Sequence, residues 1–289
     1  MKNVFTFLLL LFSLLCNGQS PKLFTTDKEL SSSLINQIYQ DRNGFIWIAT
    51  EDGLNRYDGA KFTIYKHEPN NEHSLAHNFV RTVFEDSKGH LLIGTYIGIQ
   101  MYDPATDNFT PLAKLEDTGE TLESNINSFI ERKNGEIWVS GNVLCKLDIK
   151  DHLLTVRKVD IAVTSPGSLF EDKKQNVWMA KGEEGVYQLT PDNQLTLHLS
   201  KDNGYVKSIC EDQRGNIYVG SIRKGLFIYD KERKTFVPVD LKEKGELPVC
   251  FLYSGIPNEL YIGTDGKGVA IYNIRTHEIS EYKFDNNYF

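Results

Sequence analysis

The sequence predicts an all-β fold, a β-propeller of four-stranded antiparallel blades, with six full blades plus an extra outer strand: an incomplete seven-bladed propeller. Three observations predict it. One pattern recurs six times, its copies are spaced like propeller blades, and outside the amino-terminal leader no window carries sustained helical amphipathic spacing with caps. The pattern reads as an apolar residue, an acidic pair, a turn containing Gly, a short aromatic-aliphatic run and a small residue, then a second Gly and a Tyr-Asp ending.

The first copy reads Tyr39-Gln40-Asp41-Arg42-Asn43-Gly44-Phe45-Ile46-Trp47-Ile48-Ala49-Thr50, then Gly53-Leu54 and Tyr57-Asp58. The second runs from Phe84-Glu85-Asp86 through Gly89 and Leu92 to Gly94-Thr95, Gly98 and Tyr102-Asp103. Ile130-Glu131, Gly135, Trp138, Ser140 and Leu147-Asp148 make the third; Phe170-Glu171-Asp172, Trp178, Ala180, Gly185 and Leu189 make the fourth. The fifth holds Cys210-Glu211-Asp212, Gly215, Tyr218, Gly220, Gly225 and Tyr229-Asp230. The sixth is the most degenerate, with Tyr253, Tyr261, Gly263-Thr264, Gly268 and Tyr272. The central anchors Trp47, Leu92, Trp138, Trp178, Tyr218 and Tyr261 follow at intervals of 45, 46, 40, 40 and 43 residues, the length of one four-stranded blade. In five copies the later Gly precedes the Tyr or Leu by the same four residues, so both halves of the unit keep step.

Alternation gives the strands of one unit. Asn36 to Gln40 is the first, Asp41 to Gly44 a hairpin turn, Phe45 to Thr50 the second strand, Leu54 to Tyr57 the third and Phe62 to His67 the fourth. Asp and Asn cap such turns, and Gly accepts positive φ. The small residue two after each anchor (Ala49, Gly94, Ser140, Ala180, Gly220, Gly263) is expected at a crowded place near the axis. Glu281 to Phe284 reads as a last fourth strand, and Lys22 to Thr26 as the extra outer strand of a seventh blade that lacks its other three. Such a ring leaves an open blade edge, a docking site for a second propeller or a homodimer.

The leader is of another kind. After Lys2, Val4 to Leu15 is an apolar run with four consecutive leucines, suited to a signal peptide and short for a membrane span. Cys16 and Gly18 stand at -3 and -1 of a cut before Gln19, so 1–18 is expected as a signal peptide and 19–289 as the propeller. A lipid-bearing Cys16 is the alternative. The mature chain is expected in the periplasm without a membrane span. Cys145, Cys210 and Cys250 are expected as small buried hydrophobes, although one pair could be bridged. The formal net charge of -7 offers no basic face for phosphates, which argues against nucleic acid as a partner.

The units resemble two-component-regulator propeller repeats, typically "S-x-x-I-x-x-I-x-E-D-x-x-G-x-L-W-I-G-T-x-G-G-L-x-x-Y-D". Ser33 through Tyr57-Asp58 and Asn78 through Tyr102-Asp103 match closely; Arg132 and Gln175 depart. The resemblance implies the periplasmic sensor region of a hybrid two-component system of the Bacteroidetes type, here a truncated form, with an oligosaccharide as the ligand class. The histidine kinase, receiver and DNA-binding parts of such systems have no counterpart in this sequence, so no enzymatic activity is expected. The competing readings are a propeller lyase or hydrolase using His77 or its neighbours, and a protein-protein interaction module.

No catalytic residue, cofactor or metal is expected. The Asp-x-Asn-Gly turns lack the alternating oxygen ligands and terminal Glu of a calcium loop, and His67, His73 and His77 sit in a polar connector without Cys partners. Trp47, Trp138 and Trp178 share one repeat position and are expected in the core. A ligand would meet the loops between second and third strands. Non-repeat residues there are Glu51, Tyr96, Asn142, Glu183, Arg223, Asp265 and Lys267, of which Tyr96 and Arg223 suit stacking and hydrogen bonding to a sugar.

Overall fold

A computed structural model of the chain describes residues 24–26, 29–199, 202, 204–241 and 247–282. Its strands form six antiparallel sheets, one per repeat, each built in sequence order from its inner to its outer strand. Blade 1 is β1 (Ile35–Gln40), β2 (Ile46–Thr50), β3 (Gly53–Tyr57) and β4 (Phe62–Tyr65). Blade 2 is β5 (Val80–Glu85), β6 (Leu91–Thr95), β7 (Ile99–Asp103) and β8 (Asn108–Phe109). A short β9 (Lys114–Leu115) then leaves the pattern and pairs in parallel with the outer strand of blade 3. That blade is β10 (Ser128–Glu131), β11 (Ile137–Ser140), β12 (Leu144–Lys150) and β13 (Leu153–Lys158). Blade 4 is β14 (Leu169–Glu171), β15 (Val177–Lys181), β16 (Gly185–Leu189) and β17 (Leu195–Leu199). Blade 5 is β18 (Val206–Glu211), β19 (Ile217–Ser221), β20 (Gly225–Asp230) and β21 (Thr235–Pro238). Blade 6 is β22 (Val249–Tyr253), β23 (Glu259–Thr264), β24 (Val269–Asn273) and β25 (Ile279–Glu281). The fold is a six-bladed propeller.

The first strands of consecutive blades pack on one another and so surround the axis. In blades 1, 2, 4 and 5 an aspartate explains why the chain turns where it does. Asp41 Oδ1 accepts the main-chain N–H of Asn43 and Phe45, and its Oδ2 accepts the Trp47 indole N–H at 2.8 Å. Asp172 does the same for Lys174, Asn176 and the Trp178 indole, and Asp86 and Asp212 cap the matching turns. One buried carboxylate thus satisfies the turn donors and seats the anchor ring, which is the capping role expected of it.

Each anchor lies on the second strand of its blade, and the first five point at the next blade. Trp47 packs with Val83, Ile93 and Tyr102 of blade 2; Leu92 with Phe129 and Val139 of blade 3. Trp138 meets Leu169 and Met179, Trp178 meets Ile209 and Val219, and Tyr218 meets Leu252 and Ile262. Five apolar cores therefore join six blades. Among the described residues no core joins blade 6 to blade 1. Ile38 of β1 is 60% exposed where its equivalent Val83 is 1% exposed, and Phe251 and Tyr253 of β22 are 59% and 51% exposed. A buried side chain of that size stabilises by about 1.5–3 kcal/mol, so these faces forgo a whole interface.

The small residue after the anchor sits where expected. A Cβ on Gly94 would fall 2.5 Å from Thr82 Cγ2 and 2.7 Å from Ile126 Cγ2; one on Gly220 would fall 2.4 Å from Val249 Cγ1. Thr82 belongs to the same blade, whereas Ile126 leads into the inner strand of the next blade and Val249 begins one, so the next blade adds to the crowding at Gly94 and supplies it at Gly220.

Two expectations fare differently. Of the extra outer strand expected over Lys22 to Thr26, Phe24 to Thr26 lie outside any strand, and Lys22 and Leu23 fall outside the described residues. The leader 1–18, with Cys16, also falls outside them. Of the strand expected over Glu281 to Phe284, Glu281 ends β25, Tyr282 lies outside a strand, and Lys283 and Phe284 fall outside the described residues. Cys145, Cys210 and Cys250 are free thiols, Cys145 buried and the others half-buried.

Candidate ligand-binding face

Strand order fixes two faces. The turns joining first to second and third to fourth strands lie on one; the loops joining second to third strands, with the connectors between blades, lie on the other. The capping Asp and Tyr-Asp turns occupy the first face, where Asp58, Asp103 and Asp230 accept main-chain N–H groups of the residues after them. All seven candidate residues lie on the second, here the loop face.

Main-chain bonds hold these loops to the axis. The N–H groups of Glu51, Tyr96 and Asp265 donate to the carbonyls of Leu34, Phe79 and Pro248, each immediately ahead of an inner strand, at 3.2, 3.0 and 2.9 Å. Ile222 of blade 5 does the same with Tyr205. Glu51, Tyr96 and Asp265 are therefore equivalent positions in blades 1, 2 and 6, all exposed. Asn142 is exposed, but its carbonyl already accepts the Ser165 N–H and its own N–H donates to Ser124 Oγ. Arg223 reaches across to Glu183 of blade 4 at 3.0 Å, so these two candidates neutralise each other. The Lys267 N–H donates to Thr264 Oγ1, closing its own turn. The seven are spread around the whole face, and only Glu183 and Arg223 are brought into direct contact.

Sequence reading missed what surrounds Tyr96. His77 Nδ1 accepts the Phe79 N–H at 2.9 Å, and ring centres lie 5.6 Å apart for His77 and Tyr96 and 6.1 Å for Phe79 and Tyr96. The Arg81 guanidinium carbon stands 5.9 Å from the Phe79 ring centre. The signal was present as Phe79-Val80-Arg81, yet it falls at the start of a strand rather than in a loop. His67 and His73 are tied instead to the carbonyls of Leu75 and Phe109. Among the described residues no group of three His, Cys, Asp or Glu has the geometry of a metal site.

Three stretches, 29–52, 74–96 and 200–223, match the two component regulator propeller family. They fall on blades 1, 2 and 5, the copies in which both members of the motif's first half, inner and second strand, are best kept. A curated protein named histidine kinase P4 from Formosa agariphila is 37% identical over 83 residues, which is 26% of this chain and 6% of that protein. An extracellular domain assigned to a hybrid two component system of B. thetaiotaomicron superposes with a TM-score of 0.75 at 21% identity, over 92% of this chain and 37% of that one. Virginiamycin B lyase from Staphylococcus aureus shares the fold with a TM-score of 0.68 at 13% identity, over 93% of this chain and 89% of that one. The chain thus spans well under half of that histidine kinase and of that extracellular domain. Among the described residues no helix is long and apolar enough to cross a membrane. This chain is a six-bladed propeller in which three of the repeats match the two component regulator propeller family.

Proposed function

We propose that the chain is the ligand-sensing propeller region of a hybrid two-component sensor, held in the periplasm after export by its leader, and that its ligand is an oligosaccharide bound on the loop face. The observation that carries this reading is the coincidence of repeat and fold: the family match falls on three blades of a propeller that superposes on a sensor's extracellular domain over 92% of its length. Kinase activity belongs to the named relative and is not part of the proposal. The loop face supports a sugar through Tyr96, whose ring is 54% exposed although its main chain is fixed. Exposed aromatic rings held in place are good platforms for the apolar face of a sugar.

The six blades are read further as a seven-bladed ring short of one blade. Two observations support that. Among the described residues no core joins blade 6 to blade 1, and the Phe24 ring lies 5.1 Å from Tyr57, much as Tyr65 of blade 1 lies 6.0 Å from Tyr102 of blade 2. Phe24 stands where the outer-strand aromatic of a preceding blade would stand. The open edge would then dock a second propeller or a second copy of the chain.

Isothermal titration of the purified chain against neutral and acidic oligosaccharides tests the main reading. Saturable binding to one class, weakened about tenfold by Tyr96→Ala, is the expected result. A folded protein that binds none of them overturns the proposal. Turnover of a polyuronide that disappears in His77→Ala would replace it with the lyase reading.

A further inference from the structure

We infer that the mouth of the axis on the loop face binds an anionic oligosaccharide through Arg81 and Lys207 and the aromatic rings beside them. The inference deepens the reading of that face as a saccharide site and rests on it.

Four inner strands begin with an irregular register, between Ile35 and Gln37 in β1, Val80 and Thr82 in β5, Val206 and Ser208 in β18, and Val249 and Phe251 in β22. A bulge leaves one residue outside the ladder and re-aims its side chain. The residues so released are Asn36, Arg81, Lys207 and Cys250. Asn36 has a structural duty: its amide donates to the Val80 carbonyl of the next blade at 2.8 Å. Asn127, at the matching position of blade 3, donates to Pro166 in the same way at 3.1 Å. Arg81 and Lys207 have no such bond, and among the described residues neither side chain has a carboxylate partner.

Each cation stands two residues after an aromatic ring that leads into the same strand. Blade 2 reads Phe79-Val80-Arg81 and blade 5 reads Tyr205-Val206-Lys207. The valine is the packing residue, buried in both blades; the ring and the cation on either side of it are released from that packing. Elsewhere the triplet is Leu34-Ile35-Asn36, Asn125-Ile126-Asn127, Ser165-Pro166-Gly167 or Pro248-Val249-Cys250. Blades 2 and 5 are three apart in the ring, so their pairs face one another across the axis.

Nearby acids leave these cations uncompensated. Glu183 is taken by Arg223 at 3.0 Å and Asp52 by Lys66 at 2.6 Å, while Glu51 and Asp265, on the blades beside Arg81 and Lys207, form no ion pair with either cation. A guanidinium beside the tilted cluster of Phe79, Tyr96 and His77 rings suits a sugar whose ring lies on an aromatic and whose carboxylate or sulfate meets the fork. Lys207 with Tyr205 repeats the arrangement with a point charge. Two such places on opposite sides of the mouth fit a chain with repeated charge better than a monosaccharide.

The test titrates the full chain with an oligogalacturonide, a sulfated galacto-oligosaccharide and the neutral galacto-oligosaccharide. The two anionic probes tell a carboxylate from a sulfate preference. Expected are binding to at least one anionic probe at least tenfold tighter than to the neutral one, weakening as salt rises, and a loss of about tenfold or more in Arg81→Ala with a smaller loss in Lys207→Ala. Thermal melts should leave both variants as stable as the wild type, since neither side chain is in an interblade core. Equal binding of neutral and anionic probes, unchanged by Arg81→Ala or by salt, overturns this inference while the saccharide reading stands. Binding to no saccharide overturns both.

Discussion

Glu85 of the second blade accepts both the main-chain N–H and the guanidinium Nε of Arg42 in the first, at 2.8 and 2.6 Å. The relationship repeats between later blades: Glu131 accepts the N–H and hydroxyl of Ser87, and Glu171 accepts the N–H of Lys133 and Arg132 Nε. The two acidic residues of the motif therefore divide their work. The Asp closes the turn of its own blade, and the Glu fastens that blade to the one before. At the matching position of blade 1 stands Gln40, whose amide reaches the Gly44 carbonyl in its own turn.

Glu85→Ala should accordingly cost about 1–3 kcal/mol, the range for hydrogen bonds to a charged acceptor with its partners left behind. Gln40→Ala should stay within about 0.5 kcal/mol, as for an ordinary surface change. Urea unfolding of the two variants checks the contrast. Equal effects would mean that the Glu is a solvated side chain and not a clamp.

Asp172→Ala should be more damaging, about 2–4 kcal/mol, because it leaves turn N–H groups and the Trp178 indole N–H without their acceptor in a buried setting. Trp178 fluorescence should change before the global transition. An unshifted spectrum with full stability would remove the carboxylate from the account of the turn.

Why the fold was legible and the site was not follows from such residues. Trp47, Trp138 and Trp178 announce blades because each sits at one position of a unit that has to pack against a copy of itself. The tie between Arg42 and Glu85 could not be read, since it joins residues in different units. The two-residue β9 could not either, because its pairing with β13 is parallel and its sequence carries no alternation. Arg81 was overlooked because alternation places it on a strand, and only the irregular register takes it out of the ladder. Arg223 looked available in the sequence, but the fold spends it on Glu183.

Gly94 and Gly220 test the packing at the axis. Gly220→Ala puts a methyl 2.4 Å from Val249 Cγ1, and overpacking of that kind costs about 1–3 kcal/mol. Gly263→Ala, in the last blade, meets nothing nearer than Phe251 Cβ of its own sheet at 3.2 Å and should cost less. Thermal melts that rank Gly263→Ala as the worse of the two would contradict the placement of the neighbouring inner strand.

Acid should reveal Glu136. Partial burial works to raise its carboxyl, but hydrogen bonds from Lys146 and the Trp138 indole prevail and hold it down at about 2, against an ordinary 4.5. A lowered carboxylate contributes stability that is fully present above its ordinary value and fades as pH falls from about 4.5 towards about 2. In Glu136→Gln the part of the acid sensitivity that belongs to this window should vanish. Parallel curves of urea midpoint against pH for wild type and variant would refute it.

The last blade tests whether the ring is open. Trp178 and Tyr261 occupy the same place in their repeats, yet Trp178 is enclosed by Ile209, Val219 and Phe227 of the next blade, while Tyr261 is beside exposed Tyr253. Trp178→Ala should therefore cost about 3–5 kcal/mol, as for an aromatic removed from a core, and Tyr261→Ala no more than about 1 kcal/mol. Were blade 6 to close on blade 1 in solution, the Tyr261 ring would be packed against Ile38, and the two substitutions would approach one another in cost. Light scattering separates closure within the chain from docking between chains: a Tyr261→Ala penalty that grows with protein concentration belongs to a second copy, and one independent of concentration belongs to a closed ring.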